Sequence, residues 1–307
     1  MSSGVIGLLA ALSAVAIAFV ARWYQLERDR VGDRTHPQLE RTGWAALRPP
    51  GGDVLIGFVT NFFDALGIGN FAPTTAAFKF LRRMPDEQIP GTLNAGHALP
   101  VIVEAIIFID AVSVDLMTLL GMVIAAVAGA WLGAGVAARL PSRVIQVAMG
   151  TALMIATLLF VATNLGWFPA GGASLGLRGG PLVFAIGVSF ILGSLMMVGV
   201  GIYGPCLILV SLLGMNPLAG FPIMMAASAF LMPVGAVRFI RAGRYDRLAA
   251  LGLTLGGIPG VLIAAFIVKS LPLTWLRWLV VVVVFYAAAQ MLLSARRNTP
   301  DTGPAGA

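Results

Sequence analysis

The sequence predicts an all-α integral membrane protein: one N-terminal anchor helix, then two inverted repeats, each consisting of a broken, re-entrant helix hairpin and three transmembrane helices. Three observations predict this fold. Hydrophobic residues make up 59% and charged residues only 11% of the 307 positions, unlike the composition of a soluble domain. Apolar stretches of roughly 17 to 25 residues, the length that crosses a bilayer, recur along the chain. Two of these stretches are interrupted by glycine and proline at matching positions.

The chain begins with the predicted anchor, residues 1–21. It lacks the basic start and the cleavage site of a signal peptide, so we interpret it as a retained span. Residues 22–52 follow as a polar linker with six arginines, which the positive-inside bias places in the cytoplasm. The same bias accounts for the net charge of +7 better than nucleic-acid binding does.

The remaining chain divides into two similar halves. Apolar segments are predicted at about 53–81, 92–111, 115–138, 143–163, 180–213, 219–240, 248–268 and 275–294. In the first and fifth of these, Gly67, Gly69, Phe71 and Pro73 of GIGNFAP recur 132 positions later as Gly199, Gly201, Tyr203 and Pro205 of GVGIYGP. We therefore expect repeat 1 at 53–164, an extracytoplasmic loop at 165–179, repeat 2 at 180–294 and a cytoplasmic tail at 295–307.

Lysine and arginine positions indicate how the broken segments lie in the membrane. If every segment crossed fully, the 20 basic residues would divide 13 inside to 7 outside. If each broken segment enters and leaves by the same face, only Arg178, Lys269 and Arg277 stay outside, a division of 17 to 3. Cytoplasmic loops carry the excess of basic residues, so we predict re-entrant hairpins, an N-terminus outside and a C-terminus in the cytoplasm. Residues 181–198 would form a helix long enough to cross the membrane, so the sequence does not decide whether the second broken segment is re-entrant or spanning.

The two breaks predict a binding site. Unpaired backbone groups at membrane depth cost several kcal/mol each unless something satisfies them. Helices that restart at Pro73 and Pro205 would turn free N–H groups and a positive dipole end toward the gap, which suits an anion. The alternative is that the glycines only permit close packing or a kink. The predicted substrate-binding residues are Gly67, Gly69, Asn70, Thr74, Thr75, Gly199, Gly201, Tyr203, Gly204 and Cys206.

Ionisable residues inside the predicted spans form a second candidate group. Asn94, His97 and Glu104 are three and seven positions apart, which places them on one helix face. Charged groups at the bilayer centre are costly and mark transport pathways or proton relays. We therefore name Asp64, His97 and Glu104 as candidates for proton coupling. The alternative is a Glu104–His97 hydrogen bond that only ties helices together.

No metal site is predicted, because His97 is the only histidine within a span. The methionines at 196–197 and 224–225 are interpreted as packing or lipid contacts.

The paired breaks and the block VGAVRFIRAGRYDRLAALGLTLGGIPGVLIA at 234–264 resemble the sulfite exporter TauE/SafE family, also called the toluenesulfonate uptake permeases. The resemblance covers about residues 53–294 and excludes the first span and its linker. Its most specific part is the Ala-Gly-x-x-Asp element ending at Asp246, followed by Leu271-Pro272.

The chain departs from the family pattern at both breaks. The family usually has a run of glycines before the proline, whereas this chain has Asn70-Phe71-Ala72 and Ile202-Tyr203-Gly204. The resemblance implies passage of small sulfur-containing anions, such as sulfite or organosulfonates, across the cytoplasmic membrane. The departures leave the substrate itself open.

Taken together, these features predict a secondary transporter, not an enzyme, in the inner membrane of a prokaryote. It would move a small anion by alternating access, one repeat element rocking against the other. No nucleotide-binding motif is found, so the energy must come from gradients or from a partner that the sequence does not show. Protons are the candidate coupling ion, and the sequence leaves the coupling ion itself open. We expect no cofactor and no nucleic-acid partner, and leave homo-oligomer formation open. The alternatives are an intramembrane enzyme using Cys206 with His97, and a scaffold that binds a partner through residues 22–52.

Overall fold

The computed structural model describes residues 3–32, 48–108, 113–167, 171–199, 201–266 and 273–297. Several features of the sequence lie outside these ranges, namely residues 33–47 of the predicted linker, Lys269, the Leu271-Pro272 dipeptide and the tail from residue 298. Within them the chain forms eleven α-helices and no β-strand.

The helices follow one another along the chain as the apolar pattern predicts. They are α1 (Ser3–Gly32), α2 (Gly51–Asp64), α3 (Phe71–Phe80), α4 (Ile89–Phe108), α5 (Leu116–Ala137), α6 (Ser142–Asn164), α7 (Gly179–Met196), α8 (Tyr203–Leu212), α9 (Gly220–Ala242), α10 (Arg247–Phe266) and α11 (Leu273–Arg297). Short 3₁₀ turns, Asp86–Gln88 and Pro217–Ala219, lead into α4 and α9.

Seven helices in the described ranges, α1, α4, α5, α6, α7, α9 and α10, are long and apolar enough to cross a membrane. The protein is therefore a multi-pass membrane protein, as predicted. By contrast α2, α3 and α8 have 14, 10 and 10 residues, which is too short for about 30 Å of hydrocarbon at about 1.5 Å per residue. The most buried of the seven spans are the two that contain α4 and α9, so these two helices form the centre of the bundle.

The predicted breaks are present in both halves. The chain leaves helical geometry between α2 and α3 and again between α7 and α8. Gly67 and Gly69 have a φ of +87° and Gly199 a φ of +96°. This left-handed region is easily reached only by glycine, which explains why glycines stand where the chain turns.

The two ends of each broken segment lie close together. Asp53, in the first turn of α2, accepts hydrogen bonds from Arg83, just beyond α3, at 2.9 and 2.7 Å. In the second half, the segment before α7 is hydrogen-bonded to the segment after α8. The Gly172 N–H donates to the Met215 carbonyl at 3.0 Å, and the Asn216 N–H donates to the Ser174 carbonyl at 2.8 Å.

Helices of one half pack mainly against helices of the other. The pairs are α2 with α10, α5 with α7, α4 with α9, α6 with α11, α4 with α10 and α5 with α9. Glycines allow the closest of these contacts. A Cβ at Gly256 of α10 would lie 1.8 Å from the Val54 carbonyl oxygen of α2, and one at Gly193 of α7 would lie 2.0 Å from the Ala126 oxygen of α5. Small residues at such interfaces let membrane helices approach backbone to backbone.

The first helix is longer than predicted and is fixed at its far end. It continues past residue 21 to Gly32. There the Trp23 indole N–H donates to the Tyr245 hydroxyl at 3.1 Å, and this hydroxyl donates to the Glu27 carboxylate. Because Tyr245 belongs to the turn between α9 and α10, the end of α1 lies beside that turn.

Candidate functional site

The two breaks meet at one cavity of about 150 Å³. Seven of the predicted substrate-binding residues line it, namely Gly67, Gly69, Asn70, Gly199, Gly201, Tyr203 and Gly204. The opposite wall is apolar and includes Leu153 of α6 and Phe221 and Met224 of α9. The structure thus brings together segments that lie 132 positions apart in the sequence.

Two helices begin at the edge of this cavity. They start at Phe71 and Tyr203, two residues before the prolines at which the sequence predicted their starts. The N–H groups of a first helical turn have no acceptor within their own helix. Phe71 and Ala72 of α3, and Tyr203 and Gly204 of α8, line the cavity. The positive ends of two helix dipoles therefore converge on it.

Three predicted substrate-binding residues do not line the cavity. The Thr74 hydroxyl is 3.0 Å from Nε2 of His97. Thr75 is fully buried, and its hydroxyl has no hydrogen-bond partner among the described residues. Cys206 is buried one turn into α8. The reason is helical geometry, since residues three or four positions along a helix lie one turn deeper, above the residues that begin it.

A buried polar network connects the cavity wall to His97. Nδ1 of His97 is 2.9 Å from the Asn61 side-chain nitrogen, which also donates to the Gly57 carbonyl at 2.8 Å. The Asn70 amide donates to Asn61 Oδ1 at 3.2 Å and to Asp64 Oδ2 at 2.6 Å. Asn70 therefore joins the cavity to both the histidine and the first carboxyl group.

Two neighbouring carboxyl groups lie behind the cavity wall. The Tyr203 hydroxyl donates to Glu104 Oε1 at 3.1 Å. The Asp64 and Glu104 carboxyl groups are close enough to interact, and both residues are fully buried. Asp64 Oδ1 and Glu104 Oε2 have no hydrogen-bond partner among the described residues. Since ionised carboxylates only accept hydrogen bonds, a hydrogen bond between these two groups would require a proton on one of them.

The polar stripe predicted along α4 is divided between different partners. His97 contacts Asn61 and Thr74, whereas Glu104 contacts Tyr203 and Asp64. The Asn94 amide donates to the Pro90 carbonyl of its own helix at 2.8 Å. Residues seven positions apart share a helix face but are separated by about 10 Å along its axis. The pair of titratable groups in contact is thus Asp64 with Glu104, and not Glu104 with His97.

Some site residues were not identified from the sequence. Asn61, which links Asn70 to His97, was not named as a site residue, although its spacing of three positions from Asp64 groups the two in one polar patch of α2. Met196 and Met224 line the cavity, and Met197 and Met225 are buried, so packing is the one of the two interpretations of these methionines that the structure supports. In the described ranges no three His, Cys, Asp or Glu side chains are placed to hold a metal ion.

Comparison with known proteins agrees with the resemblance seen in the sequence. The model of the family described as "Sulfite exporter TauE/SafE" matches residues 2–160 and 181–307. The match includes the first span and its linker, which the resemblance had excluded. No curated protein and no solved structure matches the chain. Because the family model covers nearly the whole chain, this protein belongs to the TauE/SafE family of sulfite exporters.

Proposed function

We propose that this protein is a secondary transporter of a small anion, such as sulfite, an organosulfonate or a related sulfur oxyanion, and that the anion binds in the cavity between the two breaks. The observation that carries the proposal is the convergence of two helix N-termini and two glycine turns on one buried space. Family membership supports the substrate class.

The chemistry of the cavity supports an anion. Backbone N–H groups at helix N-termini and the associated dipoles favour negative charge. The Asn70 amide and the Tyr203 hydroxyl add side-chain donors at the same wall. A cavity of about 150 Å³ has room for a small oxyanion.

The packing supports a pair of inverted repeats around this site. In order along the chain, the helices α2–α6 of the first half correspond to α7–α11 of the second. Replacing each helix by its counterpart turns the α2–α10 contact into the α7–α5 contact, and the α4–α10 contact into the α9–α5 contact. All four contacts exist. The start and end of each broken segment are also bonded to each other, through Asp53 and Arg83 in one half and around Met215 in the other. Both features are those of re-entrant hairpins in a transporter that works by alternating access.

The basic residues support a cytoplasmic position for one end of the bundle. Arg22 of α1, Arg139 just after α5 and Arg238 in the last turns of α9 line one cleft. The positive-inside bias places this end in the cytoplasm of a prokaryotic inner membrane. The N-terminus then lies outside and the C-terminus inside.

The Asp64–Glu104 pair supports coupling to protons. Asn70 and Tyr203 stand between this pair and the cavity and contact both. An anion bound at the cavity would be repelled by a fully ionised pair, so anion binding and protonation of the pair favour each other. The anion and a proton then move together. His97 holds Asn61 and Thr74 in place and acts as a positioning residue.

The alternative functions have less support. The enzyme alternative needs Cys206 and His97 at the site, and neither lines the cavity. The scaffold alternative depends on the linker, of which residues 33–47 lie outside the described ranges.

Flux measurements test the proposal. Purified protein in proteoliposomes should take up radiolabelled sulfite saturably, and an alkylsulfonate or sulfate should compete. Flux no higher than in empty liposomes, under any gradient of pH or potential, would refute transport of sulfite.

A pair of glycine variants tests the location of the site. Gly69 and Gly166 both have positive φ, +87° and +70°, and a Cβ at either would meet no described atom within 4 Å. Alanine therefore costs about 1 to 2 kcal/mol of backbone strain at both positions. Only Gly69 lines the cavity. We expect Gly69→Ala to reduce sulfite flux at least tenfold and Gly166→Ala to leave it near wild type. Equal effects would show that the Gly69 result reports strain alone.

A further inference from the structure

A second cavity lies at the other side of α9, away from the proposed anion site. It is a cleft of about 880 Å³ between α1, α5 and α9. Apolar side chains of α1 and α9, including Phe19 and Val234, line its inner part. Four arginines line the rest: Arg22, Arg139, Arg238 and Arg241. The volume is within the range of roughly 300 to 1,000 Å³ found for small-molecule sites.

Among the described residues, no acidic side chain is recorded in an ion pair with an arginine of this cleft. No aspartate or glutamate is among the described residues that line it. Arg22 donates to the Gln25 side chain at 3.0 Å, which is a neutral partner. Like charges grouped in this way repel one another unless an anion lies between them. The cleft therefore has an excess of positive charge beside an apolar surface.

One of these arginines is held in position by its surroundings. The Arg238 guanidinium carbon lies 4.1 Å from the centre of the Trp131 ring, a cation–π contact. Its Nη1 atom passes over Gly135, where a Cβ would lie only 2.1 Å away. Trp131 is about half exposed, at 52%. Tryptophan is enriched at the level of the lipid headgroups.

We propose that this cleft binds an anionic phospholipid, with the phosphate between the arginines and part of an acyl chain along α1 and α9. Charge complementarity favours an anion, since guanidinium groups pair with phosphate oxygens through two parallel hydrogen bonds. The apolar inner part favours a lipid over a soluble phosphate, because only a lipid covers both surfaces at once. Basic pockets between transmembrane helices on the cytoplasmic side are suited to such headgroups. The bound lipid would also connect α1 to the central helix α9.

Native mass spectrometry of the purified protein tests this proposal. Phosphatidylglycerol and phosphatidylcholine with the same acyl chains are titrated against the wild type and against two double variants. Arg238→Gln/Arg241→Gln removes two charges from the cleft. Arg82→Gln/Arg143→Gln removes two exposed charges that do not line it. Each arginine beside an anionic headgroup raises the binding constant of the lipid by a factor of about five. The cleft variant lacks two such arginines and should therefore bind phosphatidylglycerol about 25-fold more weakly. The second variant should bind it as the wild type does.

A second measurement on the intact cleft guards against misfolding of the variants. Brominated phosphatidylglycerol should quench Trp131 fluorescence, measured as the difference between the wild type and Trp131→Phe, more strongly than brominated phosphatidylcholine. Three results would overturn the proposal: equal binding of the two lipids by the wild type, equal losses in the two double variants, or displacement of the lipid by millimolar glycerol phosphate. The last result would assign the site to a soluble phosphate ester.

Discussion

Replacing Glu104 by glutamine is expected to separate anion movement from proton movement. Glutamine has nearly the size of glutamate, and its carbonyl oxygen can still accept the Tyr203 hydroxyl, which lies 3.1 Å from Glu104 Oε1 in the wild type. Its amide donates to the Asp64 carboxylate without a shared proton. The cavity and its donors therefore remain, while the proton-carrying contact is lost.

The size of the effect follows from the number of protons involved. A hydrogen bond between the Asp64 and Glu104 carboxyl groups requires one proton. If one proton moves with each anion, a gradient of one pH unit supplies about 1.36 kcal/mol for transport. At equilibrium this free energy supports a tenfold higher substrate concentration on the alkaline side of the membrane. The variant should still move sulfite down its own concentration gradient, but a pH gradient should no longer concentrate it.

Proteoliposomes with an imposed gradient of one pH unit provide the assay. Accumulation of labelled sulfite is measured at steady state, and uptake is measured separately without a gradient. Glu87→Gln is the matched control, because it makes the same chemical change at the turn before α4, where Glu87 accepts the Ser142 hydroxyl at 2.7 Å. If Glu104→Gln vesicles accumulate sulfite tenfold like the wild type, the acid pair does not carry the coupling proton.

Two further predictions concern stability in detergent. Gly256→Ala should force α10 and α2 apart by more than about 1 Å and cost roughly 1 to 3 kcal/mol as overpacking, which lowers the unfolding midpoint by about 2 to 6 °C. Gly187→Ala, where a Cβ meets no described atom within 4 Å, should lower it not at all, and a similar fall in both variants would contradict the packing argument. The Thr118 N–H donates to the Asp115 carboxylate, and this hydrogen bond holds the pKa of Asp115 in the folded protein below its ordinary value of 3.8. The ionised Asp115 therefore stabilises the fold fully above pH 3.8. This stabilisation is lost as the pH falls through the lower pKa of the folded state. The unfolding midpoint of Asp115→Asn, which keeps an N-cap, should therefore fall less between pH 6 and pH 3 than that of the wild type, and an equal fall would refute the assignment.

The breaks could be predicted because their cause is local. Glycine and proline restrict or release the backbone wherever they stand, and the recurrence of Gly67 as Gly199 marks equivalent turns. The same local rules misplaced the starts of α3 and α8 by two residues, since proline is tolerated throughout the first turn. The end of α1 was also missed, because hydropathy falls after residue 21 while the helix continues to its contact with Tyr245.

The partners of the buried polar residues could not be predicted, because they depend on how distant helices pack. Glu104 and Tyr203 are 99 positions apart, and neither spacing nor composition relates them. Helical periodicity placed Glu104 and His97 on one face, but it gives no information about which neighbouring helix lies opposite each. The inverted arrangement of the halves and the proton-coupling residues remain predictions.

The contacts between helices group them differently from the division of the chain into two repeats. The contacts link α2, α10, α4, α9, α5 and α7 into one continuous layer, and α6 and α11 contact the short helices α8 and α3 beside it. A motion of one half as a rigid body against the other would have to pull apart the backbone contacts at Gly256 and Gly193. A motion of the α6–α11 pair relative to the layer leaves those contacts closed and changes the wall of the cavity that Leu153 supplies, together with the contacts of α6 and α11 to α8 and α3. Each mechanical unit would then be composed of helices from both halves, so that neither repeat could function as a transporter on its own.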